Sequence, residues 1–181
     1  MPNLANFPQY DAEALYATLL QQVGAGLSGA HDVAIVGIHS GGAWLAERLA
    51  TDLGLGARLG FIDVSFYRDD FARKGLHAGV KPSQIGFDVD GATILLVDDV
   101  LNTGRTTRAA INELFDYGRP ARIMLAALVD RGGRELPIAA DFVAATVQLD
   151  AGQALVLARA AAGPDGTAGP QFTLTTETDH A

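Results

Sequence analysis

Residues 94–107, ILLVDDVLNTGRTT, constrain the fold and the chemistry of this chain more than any other stretch. An apolar run of strand length, Ile94 to Val97, leads into adjacent carboxylates, Asp98 and Asp99. A turn rich in Thr, Gly and Arg follows, and a helix is expected to open near Arg105. An apolar strand delivered through a turn into a helix is the repeating unit of a parallel sheet covered on both faces. Backbone N–H groups at the start of such a helix, with the hydroxyls of Thr103, Thr106 and Thr107, make a concave anion site suited to a phosphate. Carboxylates beside it suit sugar hydroxyls, a metal or a developing positive charge. A phosphorylated ribose uses all of these features. A helix merely capped by Asp and Thr, or a generic phosphate loop, uses only some of them.

The rest of the chain repeats the pattern. Leu15, Leu19 and Val23 recur at helical spacing and predict an amphipathic first helix over residues 11–23. Residues 33–37 (VAIVG) read as a strand that enters the turn 39–42 (HSGG) and a helix over 43–53. Residues 61–67 (FIDVSFY) alternate as a strand, and a polar segment runs on to about Gly91. The motif strand spans 92–97, and its helix runs from Gly104 to Tyr117, stopped by Gly118 with Pro120 beyond. Strands at 123–129 and 141–147 complete a mainly parallel α/β sheet. Residues 153–160 (QALVLARA) and 171–177 (QFTLTTE) predict a terminal β-hairpin around a Gly/Pro-rich loop. The expected organisation is one domain over 1–181, with an N-terminal helix and hood segment (1–30), a flexible lid (67–91) and the C-terminal hairpin and tail (150–181).

Composition narrows the function class. At 181 residues, 49% hydrophobic and 19% charged, the chain suits a compact α/β protein. Without cysteine it has neither disulfides nor Cys-based zinc sites. No apolar segment is long enough to span a bilayer, so no membrane partner is expected and the cytoplasm is the expected location. A net charge of −8 disfavours broad attraction to nucleic acid, although a local basic patch remains open.

Ligands of open α/β sheets sit where loops leave the carboxyl ends of the strands. Loops there are expected at 39–42, after Tyr67, at 98–107 and at 130–137. Ser40, Gly41 and Gly42 form a candidate loop for a second anion, because glycine lets backbone N–H groups approach closely. A plain tight turn also fits them. The polar segment after Tyr67 carries Arg68, Arg73, Lys74 and Lys81, as a lid or as an exposed loop. Asp130, Arg131 and Arg134 follow the fourth strand; they suit a hydrogen-bonding ligand, or scaffold pairs of the arginines with Glu135 and Asp141.

The 94–107 motif resembles the binding motif of type I phosphoribosyltransferases, enzymes that use 5-phosphoribosyl-1-diphosphate (PRPP). Together with YRDDF (67–71), ELFDYGRP (113–120) and LVDRGGRELPIAADFV (128–143), it makes the chain resemble the PyrR family over about residues 30–150. That family combines uracil phosphoribosyltransferase activity with pyrimidine operon regulation by mRNA attenuation in some members. The resemblance implies a type I phosphoribosyltransferase-like fold and the conversion of uracil and PRPP to UMP and pyrophosphate. It places Asp98 and Asp99 at the ribose as catalytic groups. Val100, Thr103, Gly104, Arg105, Thr106 and Thr107 fall at PRPP and its 5′-phosphate, and residues 40–42 at pyrophosphate. The four lid cations close over the reacting centre, and Asp130, Arg131, Arg134 and Val147 line the uracil side. Mg²⁺ is the expected cofactor, held mainly through PRPP, with Asp98 and Asp99 as indirect ligands.

Two sites depart from the family pattern: Ser40-Gly41 stands in place of Thr-Arg, and Asn102 in place of Tyr. Pyrophosphate must therefore lean on backbone donors and another cation, and any oligomer contact made by that Tyr is in question. A homodimer or higher homo-oligomer is implied. RNA is the weaker partner. Of the basic residues outside the active-site loops, only Arg108, Arg119 and Arg122 cluster. A UMP-sensing RNA-binding regulator with little catalysis, and a phosphoribosyltransferase for another base, are the alternatives.

Overall fold

The computed structural model describes residues 10–64, 82–160 and 171–178. The four cations assigned to the lid lie outside the described residues, as do the hairpin loop and the last residues of the tail.

Helix α1 (Ala12–Gly26) is started by Asp11, whose carboxylate accepts from the N–H groups of Glu13 and Ala14 at 3.1 and 3.0 Å. Strand β1 (Val33–Ile38) is buried throughout and leads into α2 (Gly41–Asp52). A short 3-10 turn (Gly56–Arg58) precedes β2 (Leu59–Ile62). Then come β3 (Thr93–Leu101), α3 (Arg105–Tyr117), β4 (Arg122–Asp130) and β5 (Phe142–Thr146). Strands β6 (Gln153–Arg159) and β7 (Phe172–Thr178) pair antiparallel as the expected hairpin.

The main sheet has the order β2-β1-β3-β4-β5, and each neighbouring pair is parallel. Both faces are covered, as the apolar strands require. Alternation along each strand sorts the core into two layers. Ile35, Leu95, Val97, Met124, Ala126 and Leu128 face α1 and α2, where Leu19, Val23, Leu45 and Leu49 are fully buried. Val36, Ile94, Leu96, Leu125 and Ala127 face α3 through Ala109, Ala110 and Leu114.

Two sequence expectations are corrected. The strand expected over 61–67 is in strand form only to Ile62; Asp63 and Val64 have left the ladder, and the residues beyond lie outside the described set. Phe61 is tied instead to Gln84 by a pair of antiparallel backbone hydrogen bonds of 2.8 Å each. The motif strand, expected to stop at Val97, continues through both aspartates to Leu101, because β4 keeps pairing with it as far as Asp130.

The hairpin joins the α1–α2 layer through Leu155, Leu157, Phe172 and Leu174. Its anchor is partly polar. The Arg48 guanidinium lies 4.1 Å from the Tyr16 ring centre and 5.3 Å from that of Phe172, and pairs with Glu13 at 2.7 Å. Glu13 also accepts the Phe172 N–H at 2.7 Å. The Tyr16 hydroxyl donates to Asp52 at 2.6 Å, and burial, then that bond, push the phenol well above its ordinary pKa. Tyr16→Phe removes this bond and leaves Asp52 solvated. A loss of about 1 kcal/mol is expected, lowering the thermal unfolding midpoint by about 2–4 °C, and an unchanged midpoint would show that the bond contributes nothing.

Candidate functional site

In the order 2-1-3-4-5 the chain reverses direction across the sheet between β1 and β3, and open α/β sheets bind ligands in the crevice at that point. The loop after β1 and the end of β3 therefore face each other. Glycine sets how closely. A Cβ on Gly42 would overlap the Val97 carbonyl oxygen and come to 3.0 Å from the Asp98 Cα. A Cβ on Gly41 would overlap Asp99 Oδ2 and sit 2.6 Å from its Cγ. The start of α2 thus rests directly on the carboxylate strand. The arginine of the family pattern at position 41 would have to displace Asp99.

The two aspartates do not project together. Neighbours on a strand point to opposite faces. Asp99 follows Leu95 and Val97 to the α2 side, against Gly41, where it is partly exposed. Asp98 follows Ile94 and Leu96 to the α3 side, is 3% exposed, and accepts the Asp99 N–H at 3.0 Å. Val100 is half-buried against the same α1–α2 layer and Leu101 is buried against the other, so the strict alternation ends at Asp99 as the strand nears the turn.

The turn 102–104 and the first residues of α3 form the candidate phosphate loop. Gly104 caps the helix at φ +90, a left-handed conformation that glycine adopts freely. Thr103 Oγ1 accepts the Arg105 N–H at 3.2 Å. Thr106 is half-buried; Thr107 is 1% exposed, and its hydroxyl has no hydrogen-bond partner among the described residues. Buried hydroxyls are normally partnered, so this one is an exception within the loop. The Arg105 guanidinium pairs with Glu135 at 2.6 Å in a half-exposed bridge.

The segment after β4 closes against that loop. Arg131 N–H donates to the Leu101 carbonyl at 3.0 Å, and the N–H groups of Glu135 and Leu136 donate to the Thr103 carbonyl at 3.0 and 3.1 Å. The Arg134 guanidinium pairs with Asp130 and donates to the carbonyls of Asn102 and of Ile138, the last at 2.9 Å. Asp130 also accepts the Gly132 N–H at 2.8 Å. The scaffold pairing weighed for these arginines is thus realised for Arg134, with other partners. Glu135 goes to Arg105, and Asp141 accepts the Leu125 N–H at 2.8 Å. Arg131 remains half-buried beside the cleft, and Val147 is buried next to it, its N–H bonded to the Asp130 carbonyl at 2.9 Å.

Three of the four expected loops therefore converge: Ser40, Gly41 and Gly42; Asp98 to Thr107; and Asp130 to Arg134 with Val147. Sequence reading missed the three consecutive carbonyls that join the last two. The available signal was the spacing of Asp130 and Arg134, which places opposite charges four residues apart.

The chain is similar to known proteins. The phosphoribosyl transferase domain family matches residues 9–154. A bifunctional protein PyrR of Ralstonia nicotianae is 53% identical over 171 residues, spanning 93% of this chain and 95% of that protein. One of Nitrosococcus oceani is 59% identical over 112 residues, 61% of this chain and 63% of the relative. Among solved structures, the hypoxanthine phosphoribosyl transferase of Trypanosoma cruzi superposes with a TM-score of 0.60 at 20% identity, over 82% of this chain and 81% of that one. A purine phosphoribosyltransferase from Pyrococcus horikoshii gives 0.56 at 25% identity, over 78% and 86%.

The two glycine contacts separate fold from function. Gly42→Ala meets backbone and is expected to destabilise the protein by roughly 1–3 kcal/mol, while Gly41→Ala meets a side chain that can rotate. Gly41→Ala should then keep most of its thermal stability and lose ligand binding or activity through Asp99. Equal unfolding midpoints for the two variants would contradict this division.

Proposed function

This chain belongs to the PyrR family of phosphoribosyl transferases, and on that premise we propose that it makes UMP and pyrophosphate from uracil and PRPP. The observation that carries the reading is the meeting, at the sheet's switch point, of a phosphate loop, a carboxylate set against a glycine-rich loop, and the segment after β4. The 5′-phosphate sits on the amides and hydroxyls from Thr103 to Thr107, with Arg105 released from Glu135 to join it. Pyrophosphate sits on the backbone of Ser40, Gly41 and Gly42. The pyrimidine lies against Arg131 and Val147, where its N3–H and two carbonyls meet polar groups beside an apolar wall. A base that mismatched those groups would leave them unpaired, which is how such a site rejects cytosine.

In the reaction the C1–O bond to pyrophosphate breaks with its electron pair leaving on oxygen. Uracil N1 bonds to C1, and its proton departs. Positive charge grows on the ribose ring in between, and a fixed carboxylate nearby stabilises it more than the ground state. Asp99 has the access for that role from the α2 side. Asp98, buried on the α3 side, supports the strand and reaches the ribose from the opposite face. The hard oxygen donors of Asp98 and Asp99 would suit Mg²⁺ as indirect ligands, and when bound with the diphosphate the ion would supply charge neutralisation there.

The name carried by the relatives, bifunctional, supports a second role here: UMP-responsive control of pyrimidine gene expression through mRNA, with the chain acting as a homodimer or larger assembly in the cytoplasm. Exposed Arg108, Arg119 and Arg122 are the basic residues available for phosphate contacts outside the site.

UMP formation from uracil and PRPP tests the enzyme reading. Asp99→Asn is expected to lower kcat on the order of a hundredfold with the unfolding midpoint nearly unchanged. Asp98→Asn should lower both activity and stability, since it alters a buried group. Full turnover in both variants would remove the carboxylates from the mechanism, and a wild type that turns over hypoxanthine or orotate in preference to uracil would overturn the choice of base.

A further inference from the structure

Arg134 was expected at the base, yet each of its three guanidinium nitrogens already has an acceptor: Asp130 Oδ2, the Asn102 carbonyl and the Ile138 carbonyl. Both oxygens of Asp130 are used in turn, one by Arg134 and the other by the Gly132 N–H. Arginine's planar fork suits this task, because it holds several acceptors in one fixed geometry.

What it holds is the entry to the phosphate loop. Leu101, Asn102 and Thr103 present three consecutive carbonyls to the segment 131–136, and all three are bonded there. A trans peptide is planar, so the C=O of one residue and the N–H of the next point in opposite directions. Fixing these carbonyls turns the N–H groups of Asn102, Thr103 and Gly104 away from the segment, as a nest of donors facing the cleft. None of those three amides donates to a backbone carbonyl outside the strand ladders among the described residues. The Leu101 and Thr103 carbonyls are held by backbone donors, but the Asn102 carbonyl is held by the Arg134 side chain. Arg134 is thus the strut whose chemistry a substitution can change.

We propose that Arg134 is a positioning residue for the 5′-phosphate, acting through the Asn102 carbonyl, and not a contact to the base. This rests on the phosphoribosyl-transfer reading of the site. It also makes the base side and the phosphate side one rigid unit, because Arg131 and Val147 stand on the same segment or are bonded to it.

The test compares a phosphorylated with an unphosphorylated ligand. Arg134→Gln and Arg134→Lys are titrated with UMP and with uridine, and KM for PRPP and for uracil is measured separately. Arg134→Gln is expected to weaken UMP about tenfold or more and to raise KM for PRPP by a similar factor, while uridine affinity and KM for uracil stay within about twofold. Arg134→Lys keeps the charge beside Asp130 but not the fork, so it should fall between wild type and Arg134→Gln. It also serves if the glutamine variant unfolds. Parallel weakening of UMP and uridine, a changed preference between uracil and cytosine, or no change in either ligand would each overturn the proposal. PRPP titrated without any base reads the brace by itself. A wild type that binds PRPP but makes no UMP would therefore overturn the uracil reading alone, leaving Arg134 to be judged on PRPP affinity.

Discussion

The bare backbone of Gly41 and Gly42 against β3 is the contact on which the rest of this structure depends. A side chain at 42 would strike the Val97 carbonyl, and one at 41 would strike Asp99. With no side chain at either position, α2 begins directly over the carboxylate strand. The parallel sheet supplies the rigid floor. Its apolar layers, each continuous across β1, β3 and β4, hold the strand ends in register while the loops above carry polar groups.

A second constraint acts across the cleft. The turn 102–104 is short and contains a left-handed glycine, so its amide directions depend on what holds its carbonyls. The segment after β4 does so with backbone N–H groups and one arginine. Neutral hydrogen bonds of this kind contribute only about 0.5–1.5 kcal/mol each, and the charge-assisted ones more. Their value here is direction: donors fixed before a ligand arrives need no reorganisation when charge develops. By contrast, the Arg105–Glu135 bridge is half-exposed and worth little in water.

Much of this was legible in the sequence, for identifiable reasons. Apolar runs such as VAIVG and ILLV declared their strands because both sheet faces are covered, and Leu15, Leu19 and Val23 declared α1 by their spacing. The turn and the helix start at 103–105 were legible because Thr, Gly and Arg are contiguous there. Two things were not. The aspartates read as a turn because paired charges are rare inside strands, yet ladder pairing with β4 carries β3 past them. Consecutive carboxylates also suggested a pair acting together, whereas the pleat sends them to opposite faces. The acceptors of Arg134 were not legible either: two are backbone carbonyls, which leave no trace in residue identity, and that of Asn102 is 32 residues away in the chain.

A crystal structure of the protein with its nucleotide product, UMP, reaches the core of this account directly. The phosphate is expected within hydrogen-bond distance of the amides and hydroxyls between Thr103 and Thr107, the ribose hydroxyls at Asp98 and Asp99, and the pyrimidine beside Val147. A nucleotide bound with its phosphate elsewhere, or with both carboxylates turned away from the sugar, would contradict it.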